Sequence, residues 1–366
     1  MSTSSTHPTV EMAWFSALCD DDYEFLGAPD PLLASSFEHC RNIVLAADRY
    51  GFDNVLLPSG YQLGIDNTAF CAAMAPLTKL RMLLAVRCGE LVVPQLARQI
   101  ATIDQIMDGR LTVNIISSDI PGETLESGPR YRRSIEIMYV LRELLDGRPV
   151  KFCGDFIDLA VDPPRVTTPS GRSPLFYFGG LSPAARECAA AGADVFLMWP
   201  DVTANVLEVK ADMDARAAAK GRHLRYGWRS HVIVRETEDE ARAAARRLLS
   251  KLDADLASSI RQRSLDASSA GVARQSALRD EADDEGYVER HLWTGVGRAR
   301  SGAGAAIVGD PDQVLGKILD LADAGIEAFI LSGYPHAAEC DMFARYVLPH
   351  IDHGRLEFTP DPVNPD

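Results

Sequence analysis

Short apolar runs alternate along the chain with longer stretches in which apolar residues recur every three or four positions. The short runs are almost continuously hydrophobic, which is typical of parallel strands covered on both faces, whereas the longer stretches are typical of amphipathic helices. The runs predicted as strands are residues 10–18, 52–58, 79–87, 110–117, 174–180, 194–200, 225–235 and 327–335. This alternation predicts an α/β protein built from repeated strand–helix units.

Helices are predicted between these strands, and several begin with recognisable start signals. Thr237 with Glu240 forms a capping-box pattern, and Asp310 precedes Pro311. The predicted starts lie near Ser36, Val93, Tyr131, Pro183, Val202, Thr237, Pro311 and Ala338. The count of eight strand candidates favours a (β/α)₈ TIM barrel. A doubly wound open sheet is disfavoured, because it usually has six strands and no GxGxxG motif follows the first strand here.

The chain of 366 residues exceeds the roughly 250 that such a barrel needs, so insertions are expected. Residues 151–160 are predicted as an extra hairpin between the fourth helix and the fifth strand. Residues 253–290 are polar and charged, and they are predicted as a long mobile loop before the last barrel unit. We therefore expect a single barrel domain over 10–352, with a flexible N-terminus (1–9) and a C-terminal tail (353–366).

Composition narrows the class of protein. The net charge of -15 argues against nucleic-acid binding, which needs a basic surface. No apolar run reaches the roughly 18 residues of a membrane-spanning helix, and the N-terminus lacks the pattern of a signal peptide, so a cytoplasmic protein is expected. The seven cysteines are scattered without a CxxC pair, which predicts reduced thiols and no metal site.

Polar residues are concentrated where the predicted strands end, which is where a barrel places its active site. Strand four ends with Asn114 and continues into Ser117, and strand six ends at Trp199. After strand five, Gly180 and Ser182 lead into a helix whose free backbone N–H groups favour an anion such as phosphate. The alternative is an ordinary turn in which Ser182 caps the helix.

Arg229 and His231 lie two residues apart on strand seven and therefore share one face. An inward-facing pair predicts an anion-filled barrel centre, because arginine is rarely buried without a partner. The alternative is an outward pair bound to carboxylates such as Glu236 or Asp239. Arg300, on a glycine-rich segment, offers a second guanidinium for a sulfonate or carboxylate. Taken singly, Trp199, Tyr334 and His336 are as readily explained by core packing.

Four segments closely resemble alkanesulfonate monooxygenases of the bacterial-luciferase-like superfamily: FYFGGLS, YGWRSHVIVRETEDEA, LWTGVGRARSGAGAAIVGD and FILSGYPH. The resemblance extends from about residue 10 to 352. It implies a (β/α)₈ barrel, reduced FMN (FMNH2) supplied by a separate NAD(P)H-dependent flavin reductase, and oxidation of a small anionic sulfonate by O2 to an aldehyde and sulfite. It also implies a homodimer or homotetramer.

The same resemblance assigns residues to roles. The positions that match the family's substrate and oxygen-activation pocket are Arg229, His231, Arg300, Tyr334 and Trp199. Those that match its flavin and phosphate contacts are Asn114, Ser117, Tyr131, Gly180 and Ser182.

Three loops depart from the family pattern. Cys19 stands where the family has a histidine, the turn Pro58-Ser59-Gly60 is followed by Tyr61–Ile65 without the family's cysteine, and the loop after strand four is shorter. These departures concern the half of the site that faces the organic part of the substrate. They leave open a sulfone, a sulfonated sugar or a nitrogen heterocycle as substrate. A deazaflavin-dependent reductase or a non-catalytic flavin-binding protein is a further alternative.

Overall fold

A computed structural model of the chain describes residues 7–62, 64–253, 255 and 269–365. Eight parallel strands form its centre, and each is almost entirely buried, as their continuous apolar sequences require. They are β1 (Glu11–Phe15), β2 (Asn54–Leu57), β3 (Arg81–Arg87), β4 (Leu111–Ile116), β7 (Phe176–Phe178), β8 (Val195–Met198), β9 (Arg225–Val234) and β13 (Ala328–Ser332). Each lies within one of the eight predicted strand segments.

The eight strands close into a barrel. They pair in the order β9-β13-β1-β2-β3-β4-β7-β8, and β8 pairs back onto β9 with Val195 opposite Arg225. Every one of these pairings is parallel, so the carboxyl ends of all eight strands meet at the same rim. The predicted (β/α)₈ TIM barrel is therefore confirmed.

Helices cover the outside of the barrel. They are α1 (Phe37–Tyr50), α2 (Asn67–Met74), α3 (Val93–Ile106), α4 (Ser127–Leu145), α5 (Pro183–Gly192), α6 (Thr203–Ala219), α7 (Glu238–Leu248), α8 (Ala270–Asp280), α9 (Pro311–Asp323) and α10 (His336–Tyr346). The predicted capping box forms at α7, between Thr237 and Glu240, and the helix start predicted at Asp310-Pro311 carries a second capping box, between Asp310 and Gln313 of α9. The short α2 and α8 were not predicted.

Aliphatic and aromatic side chains between the strands and the helices form the main core, and a smaller cluster fills the barrel itself. At the end opposite the carboxyl rim, the inner cluster gives way to a buried polar group. Glu11 accepts hydrogen bonds from Tyr177 Oη at 2.8 Å and from Asn54 Nδ2 at 3.1 Å, and it pairs with Arg81 at 3.3 Å. These contacts close the base of the barrel, so the open rim is left for a site.

The predicted hairpin is present as β5 (Val150–Cys153) and β6 (Asp158–Val161), which pair antiparallel. The glycine-rich segment, predicted as a turn, contains an additional strand, β12 (Ala306–Gly309). It exists because β9 continues past the barrel and gives it a parallel partner, with Ala306 opposite His231. Two further strands, β10 (Tyr287–Glu289) and β11 (Leu292–Trp293), extend the sheet antiparallel from β12.

The predicted mobile loop at 253–290 lies partly outside the described residues, which omit 254 and 256–268. Its remaining part contains α8 and β10, so it is not without secondary structure as the sequence suggested. Of the predicted flexible N-terminus, residues 1–6 also lie outside the described part. The C-terminal tail packs beneath the barrel, where Leu356 O accepts a hydrogen bond from Arg81 at 2.6 Å. In the described part of the chain, no helix combines the length and apolarity needed to cross a membrane.

Candidate active site

A cavity of about 330 Å³ opens at the carboxyl ends of the barrel strands, the rim at which barrel enzymes place their active sites. Its floor is apolar, with Phe15, Leu56, Ala85 and Leu197 among its lining residues. The residues singled out from the sequence that line it are Asn114, Ser117, Tyr131, Gly180, Ser182, Trp199, Arg229 and Arg300. Structure thus brings together residues from β4, α4, the turn before α5, β8, β9 and the glycine-rich loop.

Arg229 and His231 both point inward rather than toward the outer carboxylates. Arg229 donates to Ser332 Oγ at 2.9 Å and lies over the Phe15 ring at 4.3 Å. The Ser332 hydroxyl also lies 2.7 Å from His231 Nδ1. The outward alternative is therefore excluded, and one hydroxyl on β13 links the two side chains.

Arg300 lies on the glycine-rich loop and reaches over the cavity toward the first-strand loop. Its Nη1 donates to the Tyr334 hydroxyl, and its Nη2 lies 3.5 Å from Cys19 Sγ. Among the described residues, the carboxylate of Asp20 is the one that comes within 4.0 Å of Arg300, at 3.9 Å. Arg300 is thus held by neutral groups, with one carboxylate at the limit of an ion pair.

His231 and Tyr334 occupy a second layer behind the cavity wall rather than the wall itself. Their rings stack with centroids 5.2 Å apart, and both side chains are buried. Burial, together with the charges of Arg229 and Arg300, holds the pKa of His231 well below its ordinary value. His231 is consequently a neutral imidazole that shares a hydrogen bond with the Ser332 hydroxyl, and Tyr334 acts on the cavity through Arg300.

The two arginines give the cavity a positive character. Burial and the neighbouring charge of Arg300 lower the pKa of Arg229 to about 9. Within the described residues Arg229 makes no ion pair with a carboxylate. A buried guanidinium without a counter-charge is costly, and an anion bound beside it removes that cost. The geometry is therefore that of an anion site.

A second group of polar side chains surrounds the turn between β7 and α5. Ser182 caps α5 by accepting from Ala185 N at 3.2 Å, as the simpler interpretation of this turn required, and it also lines the cavity. Tyr131 lies beside it with its ring at 6.2 Å from that of Phe178. A side chain at Gly180 would place its Cβ 2.6 Å from Ala185 Cβ, so glycine allows the strand to approach the helix.

Two arginines at this end of the cavity were missed by the sequence analysis. Arg87, the last residue of β3, is buried and donates to Ser118 Oγ. Arg130, in the first turn of α4, pairs with Asp119 at 2.6 Å. Both line the cavity. Arg87 carried a usable signal, since it ends a predicted strand, whereas the run of arginines on α4 gave no indication of which one points inward.

Asn114 and Ser117 line the cavity at the carboxyl end of β4. Asn114 is on β4, and Ser117 follows the strand and donates to Ser134 Oγ of α4 at 2.5 Å. Trp199, after β8, forms part of the opposite wall, where α8 packs so closely that a Cβ at Gly271 would lie 2.8 Å from the indole. The helix found in the predicted loop therefore contributes to the cavity.

A buried carboxylate supports the rim from behind. Asp22 accepts from His336 Nδ1 at 2.7 Å and from His39 Nε2 at 3.0 Å. Burial by itself raises its pKa, but the charge and hydrogen bonds of His336 outweigh this and hold the pKa of Asp22 well below its usual range. The His336 ring in turn meets Tyr334 edge to face at 5.0 Å. Asp22 thus fixes the position of the layer that carries Tyr334.

Metal chemistry has no obvious site here. Among the described residues, no group of three or more His, Cys, Asp or Glu side chains could hold a metal ion. Apart from the carboxylate of Asp20, the polar groups that line the cavity are mainly guanidinium, hydroxyl and amide groups, which bind anions and organic cofactors.

Comparison with known proteins identifies relatives over nearly the full length. A protein named sulfoquinovose monooxygenase from Novosphingobium aromaticivorans is 64% identical over 354 residues, covering 94% of this chain and 98% of its own. One of the same name from Agrobacterium fabrum is 48% identical, covering 95% and 91%. A riboflavin lyase solved with modified FMN and riboflavin shares the fold, with a TM-score of 0.76, 16% identity and coverage of 94% and 91%.

These relatives confirm the wider family predicted from the sequence, but they are not named as alkanesulfonate monooxygenases. The family model described as luciferase-like monooxygenase matches residues 25–328, most of the barrel. With that match and two relatives far above 30% identity, the chain belongs to the luciferase-like monooxygenase family.

Proposed function

We propose that this protein is a two-component flavin monooxygenase that cleaves the carbon–sulfur bond of a sulfonated sugar. The observation that carries the proposal is the pair of guanidinium groups, Arg229 and Arg300, that reach the same cavity and are not tightly paired with a carboxylate. A sulfonate presents three oxygens to such groups, and charge-assisted hydrogen bonds hold it in a defined orientation.

The names of the relatives support the sugar rather than the alkane. Both are called sulfoquinovose monooxygenase, and one shares 64% of its residues with this chain. The loops that depart from the alkanesulfonate pattern line the cavity with Asp20, Ser59 and Gln62. A wall with this polarity suits a substrate that carries hydroxyl groups.

The residues present fit FMN, which we propose as the cofactor. At one end of the cavity, Arg87, Arg130 and Ser182 would hold the phosphate, because they bring guanidinium groups and a helix N-terminus together. The apolar floor at Phe15 and Leu197 suits a flat ring system. Reduced FMN supplies the two electrons that activate O2, and we propose that a separate NAD(P)H-dependent reductase delivers it. We also propose a homodimer or homotetramer.

The overall reaction balances with these reactants. The sulfonate, one O2 and reduced FMN give an aldehyde, hydrogensulfite, oxidised FMN and water. One oxygen atom enters the aldehyde as the carbon–sulfur bond breaks, and the other leaves as water. Arg229 and Arg300 orient the sulfonate and stabilise the negative charge that develops as sulfite departs.

Neutral side chains hold the guanidinium groups of Arg229 and Arg300 in position. Ser332 ties Arg229 to His231, and Tyr334 orients Arg300. Because His231 is neutral, it adds no cation to the site, and its hydrogen bond with Ser332 holds the hydroxyl that accepts from Arg229. Trp199 and α8 shield the cavity from solvent on one side, which limits the wasteful release of hydrogen peroxide.

The test is sulfite release from a panel of sulfonates. With reduced FMN and O2, sulfoquinovose should yield sulfite efficiently, and straight-chain alkanesulfonates should yield less. Sulfite from alkanesulfonates in preference would contradict the assignment to a sugar. Tight FMN binding with no sulfite from any sulfonate would favour a non-catalytic flavin-binding protein, and turnover with reduced deazaflavin alone would favour a reductase.

A further inference from the structure

Asp20 is a carboxylate in a cavity wall whose other charged groups, among the described residues, are all guanidinium groups. It follows β1 next to Cys19, and its side chain is 11% exposed. Its Oδ1 accepts from Asp21 N at 2.8 Å and from Tyr23 Oη at 3.3 Å. Its Oδ2 lies 3.9 Å from Arg300 Nη1, beyond hydrogen-bond distance. An ionised carboxylate has about four acceptor positions, so Oδ2 keeps capacity to accept a further hydrogen bond.

This carboxylate is unfavourable for a sulfonate taken alone. Two negative groups in one partly buried cavity repel each other, and Asp20 also competes with the substrate for Arg300. A simple alkanesulfonate has no hydrogen-bond donor with which to compensate. A sugar ring has several hydroxyl donors, and a hydrogen bond from a hydroxyl to a carboxylate is among the stronger ones. Asp20 is therefore suited to a substrate that carries both an anion and hydroxyl groups.

The surrounding wall is polar as well. A Cβ at Gly60 would lie 2.9 Å from the Cα of Cys19, so the loop after β2 packs directly against the loop that carries Asp20. Ser59 and Gln62 of that loop line the same cavity. The two loops therefore form one polar surface of the cavity wall, and this surface lies next to Arg300.

From this geometry we infer that Asp20 is a specificity-determining residue that accepts a hydrogen bond from a ring hydroxyl while Arg229 and Arg300 hold the sulfonate. The inference rests on the proposed function, which supplies the sulfonated sugar. Asp20 contributes to specificity in two ways: it binds a substrate that carries hydroxyl groups, and it disfavours a sulfonate without them.

The experiment compares two ligands, sulfoquinovose and hexanesulfonate, on three variants. Asp20→Ala removes the carboxylate, and Asp20→Asn keeps an acceptor for Tyr23 and guards against misfolding. Glu24→Gln is the matched control, since Glu24 lies in the same loop but pairs with Arg247 at the surface. Dissociation constants are measured by intrinsic tryptophan fluorescence without FMN, and kcat/KM is measured by sulfite release.

Asp20→Ala should weaken sulfoquinovose binding by about 10- to 100-fold, as expected for loss of a hydrogen bond to a charged group, and leave hexanesulfonate binding unchanged or tighter. Asp20→Asn should lose less, and Glu24→Gln should match the wild type. Equal changes for both ligands, or no change for either, would overturn the inference. If the wild type prefers sulfoquinovose yet releases no sulfite, the proposed function fails while Asp20 keeps its role. If it binds neither ligand, both fail.

Discussion

Arg300 is the residue whose removal addresses the anion site most directly. It reaches the cavity on the glycine-rich loop and is oriented by Tyr334 and Cys19 rather than by a tight ion pair. Arg300→Ala should raise KM for the sulfonate by about tenfold or more, because a charge-assisted hydrogen bond is lost. The dissociation constant for FMN, measured by flavin fluorescence, should change little, since the polar group around Ser182 is untouched.

Arg300→Lys is the matched variant for this prediction. Lysine keeps the charge but lacks the planar fork, so the loss should be smaller than with alanine and still measurable. Loss of FMN binding in either variant, with KM for the sulfonate retained, would mean that Arg300 serves the cofactor instead.

Asp22 governs a second prediction, on stability and pH. Its pKa is lower in the folded protein than in the unfolded chain, so its carboxylate stabilises the fold above its unfolded pKa of about 4 and ceases to do so as pH falls through the folded pKa. Asp22→Asn should lower the free energy of unfolding by about 3–5 kcal/mol near neutral pH, because His336 and His39 lose a buried anion.

Urea unfolding at several pH values checks this. The deficit of Asp22→Asn should shrink as the pH is lowered below about 4, where the wild type begins to lose the same contribution. The exposed Asp155→Asn, which removes a surface pair with Arg132, is the control and should stay within about 1 kcal/mol of wild type. A deficit that does not vary with pH would show that the loss of hydrogen-bond acceptor atoms, rather than the loss of charge, accounts for the role of Asp22.

The turn between β7 and α5 is the element that shapes the end of the cavity at which we propose that the FMN phosphate binds. Gly180→Ala would place a methyl group 2.6 Å from Ala185 Cβ and force the helix start away from the strand. We expect a loss of about 1–3 kcal/mol in stability from this overpacking, together with weaker FMN binding. Thermal melting and flavin titration measure the two effects.

Gly316→Ala is the control for this element, because a Cβ at that position in α9 meets nothing within 4 Å. It should be neutral or stabilising by up to about 1 kcal/mol, as alanine favours a helix over glycine. Equal behaviour of the two variants would show that the close approach at Gly180 has no energetic consequence.

The strands show how much of the fold the hydrophobic pattern of the sequence predicts. All eight barrel strands were predictable, because strands buried on both faces have continuously apolar sequences. Strand β12 was not, since Ala306–Gly309 follows glycines and alanines and forms a strand only against the extension of β9. Helix α8 was not predicted for a similar reason. Its position is set by tertiary contacts, such as Gln275 Nε2 donating to Pro200 O at 2.7 Å.

The site was predictable to a comparable degree. Residues near the strand ends, such as Asn114 and Trp199, could be placed at the rim because topology alone brings these ends together. The sequence does not show how deeply a side chain is buried. His231 and Tyr334, which lie behind the cavity wall, were therefore not distinguished from the residues that line the cavity. Arg130 was missed because α4 contains several arginines close together, and the sequence does not reveal which of them faces the cavity.

At the scale of the whole molecule, the contacts that stabilise the base of the barrel lie at the opposite end from the cavity. The base is closed by Glu11 and Arg81 and by the C-terminal tail, whereas the rim gathers the cationic and hydroxyl groups. Such an arrangement allows the loops after β1 and β2 to differ between relatives while the proposed anion and FMN ends of the cavity are kept. The reaction proposed for this cavity is carbon–sulfur cleavage of a sulfonated sugar.

The most direct measurement is a single-turnover experiment in which the enzyme with reduced FMN and sulfoquinovose is mixed with O2, and both sulfite and hydrogen peroxide are quantified. If the proposed reaction is correct, we expect nearly one sulfite for each reduced FMN oxidised, with little hydrogen peroxide, and a shift to hydrogen peroxide when sulfoquinovose is left out. Hydrogen peroxide as the main product in both cases, with no sulfite, would contradict it.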